Sequence, residues 1–393
     1  MSDLLIFDDS QGSFGPLTQM RPVMSVRTGA VTTLERIERT LGRFASGFIV
    51  PDALAAPLAA RVSVCVNEPR GREALCVNGR WWGIGELPEL APGEAVMVGD
   101  AVLAARLNAA DADAFVATCT LPSGIAAREA DDVLYQRPWD MLEHLPEVLA
   151  TDLACAGLPS PPPDPAVVVG EYPAHINESA AIFPGVVLDT SGGRIVVESG
   201  ATVRPNASLA GPCWVGRDAT IVDGAVIRAN TVIGPGCKVG GEVGSSIFQG
   251  WSNKAHDGYL GDSIVGQWVN LGAGTTSSNL LNTYGEISVR LAPELQRERT
   301  GRNYCGAFIG DHVKTAIGTR MMTGTSIGTG SMIACSSHAP STLGPLRWVT
   351  DAGEKRYRIE RFLDTARAMM ARRNRELDAA DEARLRFLAE SSP

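Results

Sequence analysis

Val197, Val203, Leu209, Val215, Ile221, Ile227, Ile233 and Val239 stand six residues apart without a break. Glycine often follows directly, as in Val215-Gly216, Ile233-Gly234 and Val239-Gly240. A period of six matches neither the turn of an amphipathic helix nor the simple alternation of a strand. It matches a parallel β-helix in which three short strands make one triangular coil. The aliphatic residue points into the prism, and glycine or small polar residues turn the corners. The pattern resumes at Val265 and Leu271, and again at Ile309, Thr315, Met321, Ile327 and Ile333. Residues 280–307 break it and are expected to loop out or to extend an edge.

The chain before the repeat reads differently. Leu4–Phe7, Gly47–Val50, Val62–Val66 and Val96–Asp100 are strand candidates, and Thr33–Leu41 has helical spacing with Gly42 as its stop. Trp139–Leu153 also reads as a helix, with Leu142, Leu145, Leu149 and Leu153 on one face. Strands alternating with helices predict an α/β domain with a parallel or mixed sheet. The proline run from Leu158 to Pro165 can continue neither helix nor central strand, and reads as a stiff linker. The expected division is an α/β domain at 1–157, a linker at 158–170, a β-helix at 171–350 and a helical segment at 351–393. In that last segment Ile359, Phe362, Leu363, Ala366 and Met369-Met370 share a stripe that Leu377, Leu385 and Leu388 extend. It is expected to pack on the β-helix end or on a neighbouring subunit.

A net charge of −9 argues against a dedicated nucleic-acid binder, which would show a basic face. No run approaches the length of a membrane span, and the N-terminus lacks the basic start of a signal peptide. The eight cysteines are scattered, with no C-x-x-C, and read as reduced thiols of a cytoplasmic protein. Cys237 and Cys335 read as small core residues.

One segment between the repeat runs carries chemistry. Asn253-Lys254-Ala255-His256-Asp257-Gly258-Tyr259-Leu260-Gly261-Asp262 precedes Val269-Asn270-Leu271-Gly272-Ala273-Gly274-Thr275 and Asn279. In order and near spacing these residues resemble the acetyltransferase half of the GlmU family, over roughly residues 195–335. The whole chain is similar to the GlmU-related sugar nucleotidyltransferases, through Pro16-Leu17-Thr18-Gln19-Met20-Arg21-Pro22 with Arg27-Thr28-Gly29, through Asn253–Gly258, and through Asn282-Thr283-Tyr284-Gly285. The resemblance implies a left-handed β-helix, an exception to right-handed crossovers. It also implies acetyl-CoA as co-substrate, an amino-sugar phosphate such as glucosamine-1-phosphate as acceptor, and a homotrimer with sites between subunits. The expected fold is therefore a divergent nucleotidyltransferase-like α/β domain, a left-handed parallel β-helix and a C-terminal helical segment.

N-acetylation needs a free amine lone pair aimed at a thioester carbonyl, and histidine is the natural base near neutrality. The resemblance gives that role to His256. It gives Tyr259, Asn270 and Asn279 to the substrate and acetyl group, and Ala273 to the acyl-CoA arm. Arg228 resembles the family's phosphate-binding arginine, and Lys254 is the expected replacement for a lysine-rich segment that is shorter here. Asn279 is followed by Leu280 where the family has tyrosine. In the first domain the glycine-rich loop into Arg-Met and Pro-Lys is missing, and residues 8–22 offer only Gly12 and Gly15. If UTP-dependent nucleotidyl transfer occurs there, Arg21 and Arg27 would supply charge and Asp100 would hold Mg²⁺.

Two other readings compete. A zinc hydratase on the same fold wants three converging histidines. The chain has His144, His175, His256, His312 and His338, with no pair expected on neighbouring coils. A non-catalytic sugar-nucleotide-binding or scaffold protein fits the degenerate first loop.

Overall fold

The computed structural model describes residues 2–131, 133–157 and 166–391. The proline run at 158–165 lies outside the described residues. In the first domain a seven-stranded sheet runs Cys65–Val66, Gly47–Ile49, Asp3–Phe7, Ala74–Asn78, Ala101–Leu107, Glu94–Val98, Ala126–Glu129. Asp3–Phe7 is parallel to both its neighbours, and Ala101–Leu107 runs against both of its own. Helix Thr33–Leu41 forms as the spacing predicts. Thr32 and Glu35 make a capping box, and Gly42 takes the left-handed conformation that closes the last turn.

Other boundaries move. The expected strand Val62–Val66 shrinks to Cys65–Val66, and Val96–Asp100 becomes Glu94–Val98 with Gly99-Asp100 as a turn. The helix expected over Trp139–Leu153 is two, Pro138–Glu143 and Leu145–Ala154. Pro146 explains the break, because its ring cannot accept a continuing helix behind it.

The second domain is a three-sided parallel β-helix, consistent with the left-handed coil of hexapeptide repeats. All eight residues of the unbroken run are in its buried core. Its first strand, Val167–Val169, pairs with Val187–Asp189 and so lies inside the stretch read as linker. Its last strands, Arg347–Thr350 and Gly353–Arg356, form an antiparallel pair that reaches into the segment read as helical. The break in period contains a two-stranded hairpin, Ser288–Val289 with Glu298–Arg299, and the coil resumes at Ala307–Ile309.

The three walls differ in what covers them. The nine-stranded wall from Ala174–Ile176 to Thr342–Leu343 is buried on both faces. Val197, Val215, Ile233, Val265 and Ile309 point inward. Val196, Trp214, Val232, Ile264 and Phe308 point outward, into a second core with Phe14, Leu17, Val23, Trp139 and Leu149 of the first domain. Runs such as Ile195-Val196-Val197, apolar at consecutive positions, are what a strand buried on both faces requires.

Polar contacts fix this docking. Gln249 accepts from the Arg27 N–H at 2.7 Å and donates to the Arg27 carbonyl at 2.8 Å, and Gln19 accepts from the Thr329 N–H at 2.8 Å. The C-terminal helices Ile359–Ala371 and Ala379–Ser391 close over Met20, Leu346 and Tyr357 of the same chain. Under the first of them runs a row of corner side chains, Trp251, Trp268 and His312, with ring centroids 5.5 and 6.3 Å apart, ending at Phe362. Among the described residues no helix is long and apolar enough to cross a membrane.

Ile264 faces the first domain and is fully buried, whereas Val226 faces outward from another wall and is 42% exposed. Ile264→Ala is expected to destabilise the chain by about 2–5 kcal/mol. Val226→Ala is expected to stay within about 0.5 kcal/mol of the parent. Urea unfolding of both variants checks the contrast.

Candidate active site

Strand pairing on one uncovered wall places Thr220, Lys238, Asn253, Asn270 and Lys314 in one outward row. Each precedes an inward residue, so the alternation that buries Ile221, Val239 and Leu271 sets this row outside. At the edge of the wall the chain turns a corner through His256, and the next coils turn through Ala273 and Ile317. Helix Ile359–Ala371 and the turn after it close the opposite side with Ala368, Met369, Arg372 and Arg373. The result is a cleft of about 850 Å³.

Arg373 ties the end of the helix to the wall, donating to Asn253 Oδ1 at 2.8 Å and to the Gly236 carbonyl at 3.2 Å. Lys314 donates to the His312 carbonyl at 3.1 Å, and burial pulls its ammonium down to about 8. Lys238, Lys314, Arg372 and Arg373 are met by no carboxylate among the lining residues. His256 is exposed at the mouth. The cleft thus offers a base, several cations and an apolar strip of Ala273, Ile317, Ala368 and Met369.

His256, Asn270 and Ala273 come together in this cleft; Arg228, Tyr259 and Asn279 lie around the corner on the next wall. Asn279 Nδ2 donates to Tyr259 Oη at 2.9 Å and to Asp262 Oδ2 at 2.7 Å. Burial raises the Asp262 carboxyl, against the Asn279 bond that lowers it; burial, helped by Asp262, also raises the Tyr259 phenol. Gly261 makes this cluster possible, since a Cβ there would stand 2.1 Å from Tyr259 Oη. Asp262 borders a separate cavity of about 340 Å³ with Arg302, Tyr304 and Glu143. Arg228 pairs with Glu242 at 2.6 Å on the exposed face.

Three expected ligands have other partners, and a fourth stands apart from them. Lys254 is 1% exposed and points into the prism, its ammonium bonded to the Gly240 and His256 carbonyls, so it does not reach a substrate phosphate. Arg21 is paired with Asp311 of the β-helix, and the Arg27 guanidinium lies 4.9 Å over the Trp214 ring. Both are docking residues here, not free nucleotide ligands. Asp100 sits on the exposed Gly99-Asp100 turn of a hairpin.

The neighbouring carboxylates are also engaged. Asp8 accepts from the Val23 N–H at 2.9 Å and the Ser10 N–H at 3.0 Å, and Asp9 pairs with Arg80 at 2.6 Å. Among the described residues no three His, Cys, Asp or Glu side chains converge as a metal set. Zinc wants several converging protein ligands, and no such set of histidines forms among them, whereas Mg²⁺ takes only one or two carboxylates beside substrate phosphates.

Lys314, Arg372 and Arg373 were not singled out from sequence. Lys314 carried a signal, since it precedes the inward Thr315 just as Lys238 precedes Val239. The arginines carried none, because only the packing of the helix brings them to the wall.

The fold and cleft define a class: an α/β domain of nucleotidyltransferase type fastened to a parallel β-helix with a transferase-like cleft. Residues 4–157 match the family described as sugar nucleotidyl transferase. A bifunctional sugar-1-phosphate nucleotidylyltransferase/acetyltransferase of Sulfurisphaera tokodaii is 32% identical over 138 residues, 35% of this chain and 34% of that one. The bifunctional protein GlmU of Methanococcus aeolicus is 34% identical over 146 residues, 37% of this chain and 35% of its own. The match spans about a third of the length of these relatives, which are similar to this chain over that part. A solved mutant of GDP-perosamine N-acetyl transferase from Caulobacter crescentus, with CoA and GDP-perosamine, aligns over 91% of this chain and 97% of its own. It does so at 11% identity and a TM-score of 0.14, too weak a likeness to carry an argument.

Arg21→Ala tests the docking role. It would leave the buried Asp311 carboxylate without its cation, and is expected to cost about 3–5 kcal/mol in urea unfolding. A variant of unchanged stability would return Arg21 to the list of free ligands.

Proposed function

We propose that the chain is an acetyl-CoA-dependent N-acetyltransferase for an amino-sugar phosphate such as glucosamine-1-phosphate, with His256 as general base. The observation that carries this reading is the cleft: it sets His256 beside Asn270 and Ala273, under four cationic side chains and no carboxylate. The cations suit the phosphates of acceptor and acyl donor, and the apolar strip suits a pantetheine arm. His256 takes the proton as the amine attacks the thioester carbonyl carbon. The C–N bond forms, the C–S bond breaks, and the thiolate leaves to be protonated. A homotrimer, implied by the family resemblance, would give the residues around the corner a route to a shared site.

For the first domain we infer a scaffold role. Its expected cations bind the β-helix, and Asp8 and Asp9 are engaged by its own backbone and by Arg80, so no nucleotidyl transfer step is derived through them. A relative's name supports the contrary activity, nucleotidyl transfer to a sugar-1-phosphate, and one assay with UTP separates the two.

Wild type and His256→Ala are incubated with acetyl-CoA and glucosamine-1-phosphate, and the product is followed by mass spectrometry. The mutant is expected to lose about 10²–10⁴-fold in rate. Arg373→Ala is expected to raise KM more than it lowers kcat. Added UTP and Mg²⁺ are expected to release no pyrophosphate; its release would restore the bifunctional reading. Saturable sugar-nucleotide binding without any acetyl transfer would replace the enzyme reading with that of a binding protein.

A further inference from the structure

We propose that Lys254 is a positioning residue that holds the His256 corner from inside the coil; this rests on the reading of His256 as base. Strand pairing stacks the inward residues of this wall as Val203, Ile221, Val239 and Lys254, with Leu271, Thr315 and Ile333 in the following coils. A lysine thus occupies a place where the neighbouring coils below it put valine or isoleucine.

The reason lies one coil below. Successive inward residues are normally six apart, as from Ile221 to Ile227, but Val243 follows Val239 by only four. That corner, Gly240-Gly241, is two residues short. Its shortness leaves room and exposes a carbonyl toward the interior. The Lys254 ammonium fills the room, donating to the Gly240 carbonyl at 2.9 Å and to the His256 carbonyl at 3.1 Å. Gly241 is required for this: it has φ of +67°, and a Cβ there would lie 2.8 Å from Lys254 Nζ and 2.9 Å from the His256 oxygen.

One cation therefore joins the short corner to the corner that carries the base. A buried ammonium is costly, and an apolar side chain of similar length would fill the same stack. Burial pulls this one down to about 8, with Asp257 opposing. What an apolar replacement would lose is the pair of bonds to the Gly240 and His256 carbonyls, and with the second the setting of the imidazole against the cleft.

The test is Lys254→Met, in the full chain, with three readouts. Its Tm is expected to stay close to that of wild type, the relieved burial of the ammonium offsetting the two carbonyls left without a donor. Its kcat for acetyl transfer is expected to fall about 10- to 100-fold, with KM for both substrates within about threefold, as for a misplaced catalytic group. In histidine-labelled protein the His256 ring resonances are expected to shift while those of His175 and His338 stay. Lys254→Gln, which keeps an N–H donor, is expected to recover part of the lost kcat.

A Tm that falls in step with activity would assign the lysine to the fold alone and overturn the proposal. So would unchanged His256 resonances, or equal losses in the Met and Gln variants. If wild type itself transfers no acetyl group, or His256→Ala is fully active, the acetyltransferase reading fails instead. The resonance shift then still decides whether Lys254 sets the corner.

Discussion

The structure depends on one wall of the prism being buried on both sides. A hexapeptide coil ordinarily needs one apolar residue per strand, pointing inward. Here the wall through Val196, Trp214, Val232, Ile264 and Phe308 adds an outward apolar row, which the first domain covers. At about 25 cal/mol per Å² of apolar area, a contact of this extent dominates any single polar link across it. The polar links do something else: pairs such as Arg21–Asp311 and Gln249 with the Arg27 backbone are directional, and they select one register of docking from many greasy ones.

That docking changes the meaning of the first domain's motif. Pro16-Leu17-Thr18-Gln19-Met20-Arg21-Pro22 looks, as sequence, like the remains of a loop that would cradle phosphate. In space Leu17 is buried in the shared core, Gln19 binds the Thr329 backbone and Met20 lies in the core of the C-terminal helices. Gly15 approaches Leu291 so closely that a Cβ would sit 3.1 Å from its side chain. A segment whose groups are already satisfied by its own protein has few left for a triphosphate.

The same economy governs the cleft. Beside the wall taken by the first domain, the row of Trp251, Trp268 and His312 gives the C-terminal helices an aromatic track ending at Phe362. Laying the helix on that track brings Arg372 and Arg373 to the outward row of Lys238 and Lys314. Burial of His312 holds its imidazole well below its ordinary value, so it stays a neutral packing ring instead of a second base.

The hexad of Val197 to Val239 was legible because an inward residue must recur once per short strand. That alone determined the coil, its core and which neighbours face outward. The helix Thr33–Leu41 was legible for a similar reason, its cap and its glycine being local chemistry. The motif named His256, Asn270 and Ala273 together, and the fold brings the three to one cleft. Lys254 was misread as a ligand, although its place in line with Val239 held the clue; the shortened corner hid the register. The roles of Arg21 and Arg27, the separation of Tyr259 and Asn279 from the cleft, and the arrival of Arg372 and Arg373 were decided by tertiary structure alone. Periodicity and capping are local and repeat along the chain, so sequence determines them. Which distant surface a charged side chain meets depends on how two independently patterned units fit together, and no local pattern encodes that.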